Sequence, residues 1–230
     1  MSKASTLRSL FAELVVVFVG VALAFAVENL RQDFSDQAVG DQYLSSFRQD
    51  LTADLEMLQV QQQARQAQLR DAQTVLQFFE GRPIDPQSFF EPYWSVLYEL
   101  RTAPNRNTMD EVLSSGNLRL IRDVEIRTGL LSLYSTYEKI ARLEEHMARD
   151  FDAYLYDPTF SSIPIQIEGP WTDTPSDRQA VTTLLGDVRI ENGLRLVVAN
   201  LGNRKSFGLL AELTLARSQV EQLLQRIPEA

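Results

Sequence analysis

Leu14 to Val27 is an unbroken run of apolar and small residues, and Leu10-Phe11-Ala12 extends it backwards past one acid, Glu13. As a helix, Leu10 to Val27 would be about 27 Å long, close to the roughly 30 Å of a bilayer's hydrocarbon core. Twelve of those eighteen residues are Leu, Val or Phe. Together they favour insertion by about 4 to 7 kcal/mol, whereas one charge at the bilayer centre costs about 3 kcal/mol. The run therefore predicts a transmembrane helix over 10–30, preceded by a short tail, 1–9. Lys3 and Arg8 precede the run and only Arg31 closely follows it. That bias orients the tail to the cytoplasm and the rest of the chain outside, which in a bacterium is the periplasm. Ala24-Phe25-Ala26 also fits the small-x-small pattern of a cleaved signal peptide. Glu13, and the lack of a polar stretch before the cut, favour an uncleaved anchor.

Charge narrows the partners. The 230-residue chain carries a net charge of -9, and residues 1–27 hold Lys3, Arg8 and Glu13, leaving -10 for the remainder. An acidic body repels phosphate backbones, so nucleic acid is a poor partner. The chain has no cysteine, which excludes disulfides, thiol nucleophiles and zinc–thiolate sites.

Beyond the apolar run, Asn29 to Phe79 has no proline and only one glycine, Gly40. Leu44, Phe47, Leu51, Leu55 and Leu58, then Leu69, Ala72, Leu76 and Phe79, recur at helical spacing, which predicts a long stalk helix over 31–80. Gln61 to Gln68 make that stripe polar, a sign that burial weakens there. Gly81-Arg82-Pro83 stops the helix. Residues 81–230 read as a helical extracytoplasmic domain. It starts with an aromatic helix over 86–100 and a helix from Asn107-Thr108 to Ser115, stopped by Gly116-Asn117. A long helix follows, capped by Asp123 and reaching about Leu155, with Glu144 as the one exception on its apolar stripe. The last is a helical tract over about 178–227, bent near Gly202 or Gly208. Residues 157–177 hold Pro158, Pro164, Pro170 and Pro175, with Ile163, Ile165 and Ile167 alternating as in a strand, and read as one long Pro-rich loop. The expected fold is all-α: a transmembrane helix continuing into a stalk and an antiparallel helical bundle.

Chemistry is hard to find. The only histidine, His146, shares a helix face with Asp150 but lacks the Glu-x-x-His pairing of di-iron bundles, since position 143 is Leu. Ser114-Ser115-Gly116 is no nucleophile elbow, and no Gly-rich phosphate loop occurs. Glu144 and Glu145 are neighbours that point apart on a helix and read as solvated surface. The expectation is a non-enzyme with no cofactor and no metal.

Two kinds of interaction residue remain. In the span, Gly20 and Ala24, and Ala22 and Ala26, are four apart and allow another helix to approach closely, while Glu13 either pairs with a partner's polar group or reaches the nearby cytoplasmic face. In the body, Phe89, Phe90, Tyr93 and Trp94 form either a core seam or a docking patch. Ile163, Ile165, Ile167 and Trp171 either fold back over the bundle or add to a partner as a strand.

Glu13 with the apolar run holding Gly20 and Ala24, Glu28-Asn29-Leu30, Tyr43-Leu44 with Leu51, Asp54 and Leu55, and Ser115-Gly116-Asn117-Leu118 with Leu120-Ile121 together carry a resemblance. The chain resembles an uncharacterised family of bacterial single-pass membrane proteins. The likeness implies an anchored helical extracytoplasmic domain and supplies no activity. Two functions are compatible with these features. One is an accessory or structural subunit that packs its span and periplasmic domain against a larger integral membrane protein complex. The other is a membrane-anchored sensor or adaptor that binds a small ligand in its bundle. Besides the lipid bilayer, self-association into a homo-oligomer through the span or stalk stays open.

Overall fold

The computed structural model describes residues 3–164, 171–202 and 208–228, with side chains from residue 16 onward. All regular elements among these are helical. Helix α1 runs unbroken from Lys3 to Phe79, a rod of about 115 Å at 1.5 Å per residue. With no proline and only two glycines, Gly20 and Gly40, nothing in the sequence interrupts its hydrogen-bond ladder. Its end is a Schellman turn: Gly81 takes φ +100, the Arg82 N–H donates to the Gln77 carbonyl, and the Gly81 N–H donates to the Phe78 carbonyl. Pro83 then forbids continuation, as expected.

Helices α2 (Pro86–Leu97) and α3 (Asn107–Ser114) follow, then a short 3-10 turn at Asn117–Leu120. Gly116, at φ +70, supplies the left-handed residue between the last two. Helix α4 (Val124–Phe151) opens on Asp123, whose carboxylate accepts from the Glu125 and Ile126 N–H groups. Helices α5 (Asp157–Ser162), α6 (Pro175–Leu185), α7 (Val188–Leu201) and α8 (Leu209–Arg226) complete the chain.

The helices form a bundle around one hydrophobic core. From Gly40 onward α1 is a wall of that core rather than a free stalk, with Phe47, Leu51, Leu58, Ala72 and Val75 fully buried. Helix α8 packs antiparallel against it: Arg48 donates to the Leu224 and Ile227 carbonyls, and Gln62 donates to Thr214. Helix α2 also returns antiparallel, pairing Ser95 with Asp71 near one end and Phe89 with Phe78 at the other. Helix α4 runs in the direction of α1, with Tyr137 reaching Asp54 and Glu144 reaching Arg65. The backbones of α1 and the turn before α4 meet closely at Gly40, where an added Cβ would stand 2.5 Å from the Leu120 carbonyl oxygen.

Two sequence expectations change here. The 157–177 segment is not one loop. Helix α4 continues through a widened π-turn at Asp152–Tyr156 into α5, and Pro175 opens α6 with Thr174 as its cap. Pro158 explains the widening: it has no N–H, and its ring would clash with the Tyr154 carbonyl in a regular helix. In the wider turn the Asp157 N–H donates to the Asp152 carbonyl instead. The tract expected over 178–227 is also broken at Gly186-Asp187, because the Asp187 carboxylate accepts from the Arg189 N–H and starts a new helix. The bend expected near Gly202 or Gly208 lies in the gap between α7 and α8.

Candidate functional site: an uncovered helix and a buried polar centre

The first feature is the outer part of α1. From Val16 to Phe34 the large apolar side chains of the helix stand open, from Val16 at 71% to Phe34 at 72% exposure. Gly20 has no atom within 4 Å of where a Cβ would lie, and Ala22, Ala24 and Ala26 are likewise exposed. Glu13, the remaining expected packing residue, lies outside the residues whose side chains are described. Just past the apolar run, Arg31 donates to Glu28 at 2.7 Å on the solvated surface. The body first reaches α1 through Arg122, which donates to the Asp33 carbonyl, and through the Arg119–Asp36 ion pair. Among the described residues no helix is long and apolar enough to cross a membrane. Residues 10–15 of the expected span are not among those with described side chains.

The second feature is the aromatic group. Phe89, Phe90 and Tyr93 are fully buried, and Trp94 is half-buried. Phe89 meets Phe78 edge-on at 5.5 Å and stacks on Tyr93 at 5.3 Å. Trp171 lies flat on Phe90 with ring centroids 3.6 Å apart, and Ile163 is buried in the same core. The Tyr93 hydroxyl is hydrogen-bonded to Thr159 on α5. So the chain on both sides of residues 165–170 folds back over α2, and these rings form a core seam. Phe89, Phe90 and Tyr93 present no ring surface to a partner. Ile165 and Ile167 lie outside the described residues.

The third feature was not visible in the sequence. The non-helical strap of residues 98–106 crosses between α1 and α4, and side chains of those helices satisfy its backbone. Gln68 donates to the Val96 and Tyr98 carbonyls, and Gln61 donates to the Arg101 carbonyl. Arg65 donates through Nη2 to the Leu100 carbonyl at 2.6 Å and to Glu144 Oε1 at 3.0 Å, and through Nη1 to Gln68 at 3.0 Å. Both side chains of the Arg65–Glu144 pair are 3% exposed. Glu144 also accepts from the Thr102 N–H and hydroxyl. Burial pulls the Arg65 guanidinium below its ordinary value, and the neighbouring Glu144 carboxylate opposes that shift.

A second node holds the other end of the strap. Asp54 accepts from the Asn105 N–H at 2.8 Å, the Asn105 amide at 3.1 Å and the Tyr137 hydroxyl at 2.9 Å. Tyr134 donates to the Asn105 carbonyl, and Thr108 donates to Asp50. Burial outweighs these donors and raises the Asp54 carboxyl above its ordinary value of 3.8. Burial and the adjacent carboxylate push Tyr137 upward as well.

Glu144 is therefore not a solvated neighbour of Glu145, and burial does not weaken at Gln61–Gln68; it turns polar instead. A cavity of about 110 Å³ opens beside this centre, lined by Arg65, Leu100, Glu144, Met147, Phe151 and Tyr156. The Arg65 Nε is buried there without a partner. No nucleophile–base pair lines it. His146 is exposed, 3.7 Å from Asp150, and no cluster of three or more His, Asp or Glu among the described residues can hold a metal ion. No protein-family model, curated protein or solved structure matches the chain.

Proposed function

We propose that the chain is a membrane-anchored, non-catalytic accessory subunit whose outer α1 segment inserts in a bilayer while the helical body packs against a larger membrane protein complex. The observation that carries this is the uncovered apolar length of α1. In the body most large apolar side chains are buried in one core, and the exposed ones, such as Val60, Val124 and Val188, are scattered singly. On the outer segment ten of them, from Val16 to Phe34, stay open. Covering a Val, Leu or Phe is worth roughly 1.5 to 3 kcal/mol, so leaving all ten in water forgoes at least about 15 kcal/mol. A bilayer covers such a helix from every side, and the preceding Leu10 to Val15, apolar but for Glu13, complete the length a span needs. The Lys3/Arg8 bias places the N-terminus in the cytoplasm and the body in the periplasm of a bacterial inner membrane.

One observation favours a second reading, a sensor. The small cavity beside the unpartnered Arg65 Nε has polar and apolar walls and could take a small ligand.

Alkaline carbonate extraction of membranes containing the tagged full chain, followed by a native gel in mild detergent with mass spectrometry, tests both parts. Retention in the pellet and migration in a large stoichiometric assembly support the proposal. Release into the supernatant defeats the anchor. Retention with migration as a lone species defeats the subunit reading and turns attention to ligand-dependent melting shifts.

A further inference from the structure

We propose that a second copy of this chain covers the outer face of α1, the two copies pairing in parallel through Val16, Gly20, Leu23, Val27, Leu30 and Phe34. The inference rests on the membrane-anchored reading and adds the partner of one helix face. These six residues recur at alternating intervals of four and three, the spacing of a coiled-coil seam. All are exposed, and Gly20 has no atom within 4 Å of where a Cβ would lie.

Lipid alone does not account for the pattern. Between Val16 and Val27 the helix is apolar all round, which is what a bilayer selects. Past Val27 the apolar residues narrow to a single stripe. Leu30, 57% exposed, and Phe34 continue the seam, while Asn29, Arg31, Gln32, Asp33 and Ser35 occupy the other faces. Phe34 stands about 10 Å beyond Val27 at 1.5 Å per residue, outside the apolar run. A stripe in register with the run beneath it is the mark of another helix.

The geometry points to a second copy as that helix. Copies anchored in one membrane with one orientation are necessarily parallel and at equal depth, so each seam residue meets its own counterpart. Every such meeting is apolar or, at Gly20, small enough for close approach. In that register the flanking Arg31 faces Ala26 of the other copy and Asp33 faces its Ala38, so no like charges are opposed. The body does not obstruct the pairing. It contacts α1 through Asp33, Asp36, Gly40, Phe47 and Leu51, about 100° to 160° around the helix from the seam at 100° per residue. The next two seam positions are Gln37, which is polar, and Asp41, which would oppose two carboxylates, and both are exposed, so the pairing ends where the body begins.

The chain has no cysteine, which makes disulfide scanning in native membranes clean. Val27→Cys, Leu30→Cys and Phe34→Cys probe the seam, and Asn29→Cys, Gln32→Cys and Ser35→Cys probe the other faces. Seam positions in a paired coil bring Cα atoms within roughly 4.4 to 6.8 Å, the reach of a disulfide. Mild oxidation should double the mass at the three seam positions and leave the other three as single chains. Adding Phe34→Lys to Leu30→Cys should abolish the doubled band. Equal cross-linking at all six positions, none at the seam, or a seam cross-link only to a chain of different mass overturns the proposal. Each variant is also sedimented with membranes. Loss of sedimentation defeats the anchor itself, whereas sedimentation without the periodic pattern defeats only the pairing.

Discussion

Replacing Arg65 by Met would remove one half of an ion pair whose side chains are both 3% exposed. Three hydrogen bonds disappear, to Gln68, to the Leu100 carbonyl and to Glu144. The Glu144 carboxylate stays buried with only its Thr102 donors. Breaking a buried pair from one side costs about 3 to 5 kcal/mol, because the remaining charge is uncompensated. Thr102 offsets part of that, while the stranded Leu100 carbonyl adds to it, so the expected loss is about 4 kcal/mol. That is a large fraction of the roughly 5 to 15 kcal/mol that keeps a domain folded. Glu144→Leu leaves the guanidinium unpaired and should cost about as much. The double variant Arg65→Met/Glu144→Leu removes both charges. It still strands the Thr102 N–H and the Leu100 carbonyl, at about 1 to 3 kcal/mol each. The double loss should thus be under the sum of the singles, a coupling of about 2 to 6 kcal/mol. Urea unfolding of the full chain in detergent, followed by fluorescence of its two tryptophans, Trp94 and Trp171, reads all four proteins. Single losses under about 1 kcal/mol would mean that water screens the pair as on an exposed surface. Additive singles would mean that the two groups do not act through each other. Either result refutes the assignment of this centre as the buried lock on the strap.

Gly40→Ala places a Cβ 2.5 Å from the Leu120 carbonyl oxygen, a backbone atom that cannot swing away. The contact between α1 and the turn before α4 should loosen at a cost of about 1 to 3 kcal/mol, visible as a lower melting temperature; an unchanged or raised one would refute the close approach. Asp54 supplies a pH test. Its folded-state pKa is raised above 3.8 by burial, so its charged form is disfavoured on folding. The penalty is fully present at neutral pH and is relieved as pH falls through the raised pKa towards 3.8. The stability of the native chain relative to Asp54→Asn should therefore improve on acidification from pH 7. A difference that is flat, or that moves against the native chain, would show that the donors from Asn105 and Tyr137 outweigh burial.

The contrast between what the sequence shows and what it hides has one physical origin. Stops and caps are local chemistry, so Gly81 before Pro83, Gly116 and the Asp123 cap were legible, as was the face of α1 carrying Phe47, Leu51 and Leu58. Gly186-Asp187 has the same local character and was readable as a helix restart, yet the apolar period on both sides masked it. The Arg65–Glu144 pair is different in kind. Each residue sits on the inward stripe of its own helix, and a lone charge there looks like a gap in burial. Only the meeting of two helices 79 positions apart turns the two gaps into one satisfied centre. The strap 98–106 is hidden for the same reason, since a loop with side-chain partners for its backbone has no period of its own. A stripe names a face and never its occupant. In the body the occupant lies elsewhere in the same chain, and packing reveals it. On the outer length of α1 the helix is apolar all round from Val16 to Val27 and narrows to a stripe at Leu30 and Phe34, whose side chains stay exposed. By the same logic the proposed occupant of that face is a helix from another molecule, and in-register self-pairing opposes no like charges from Val16 to Phe34.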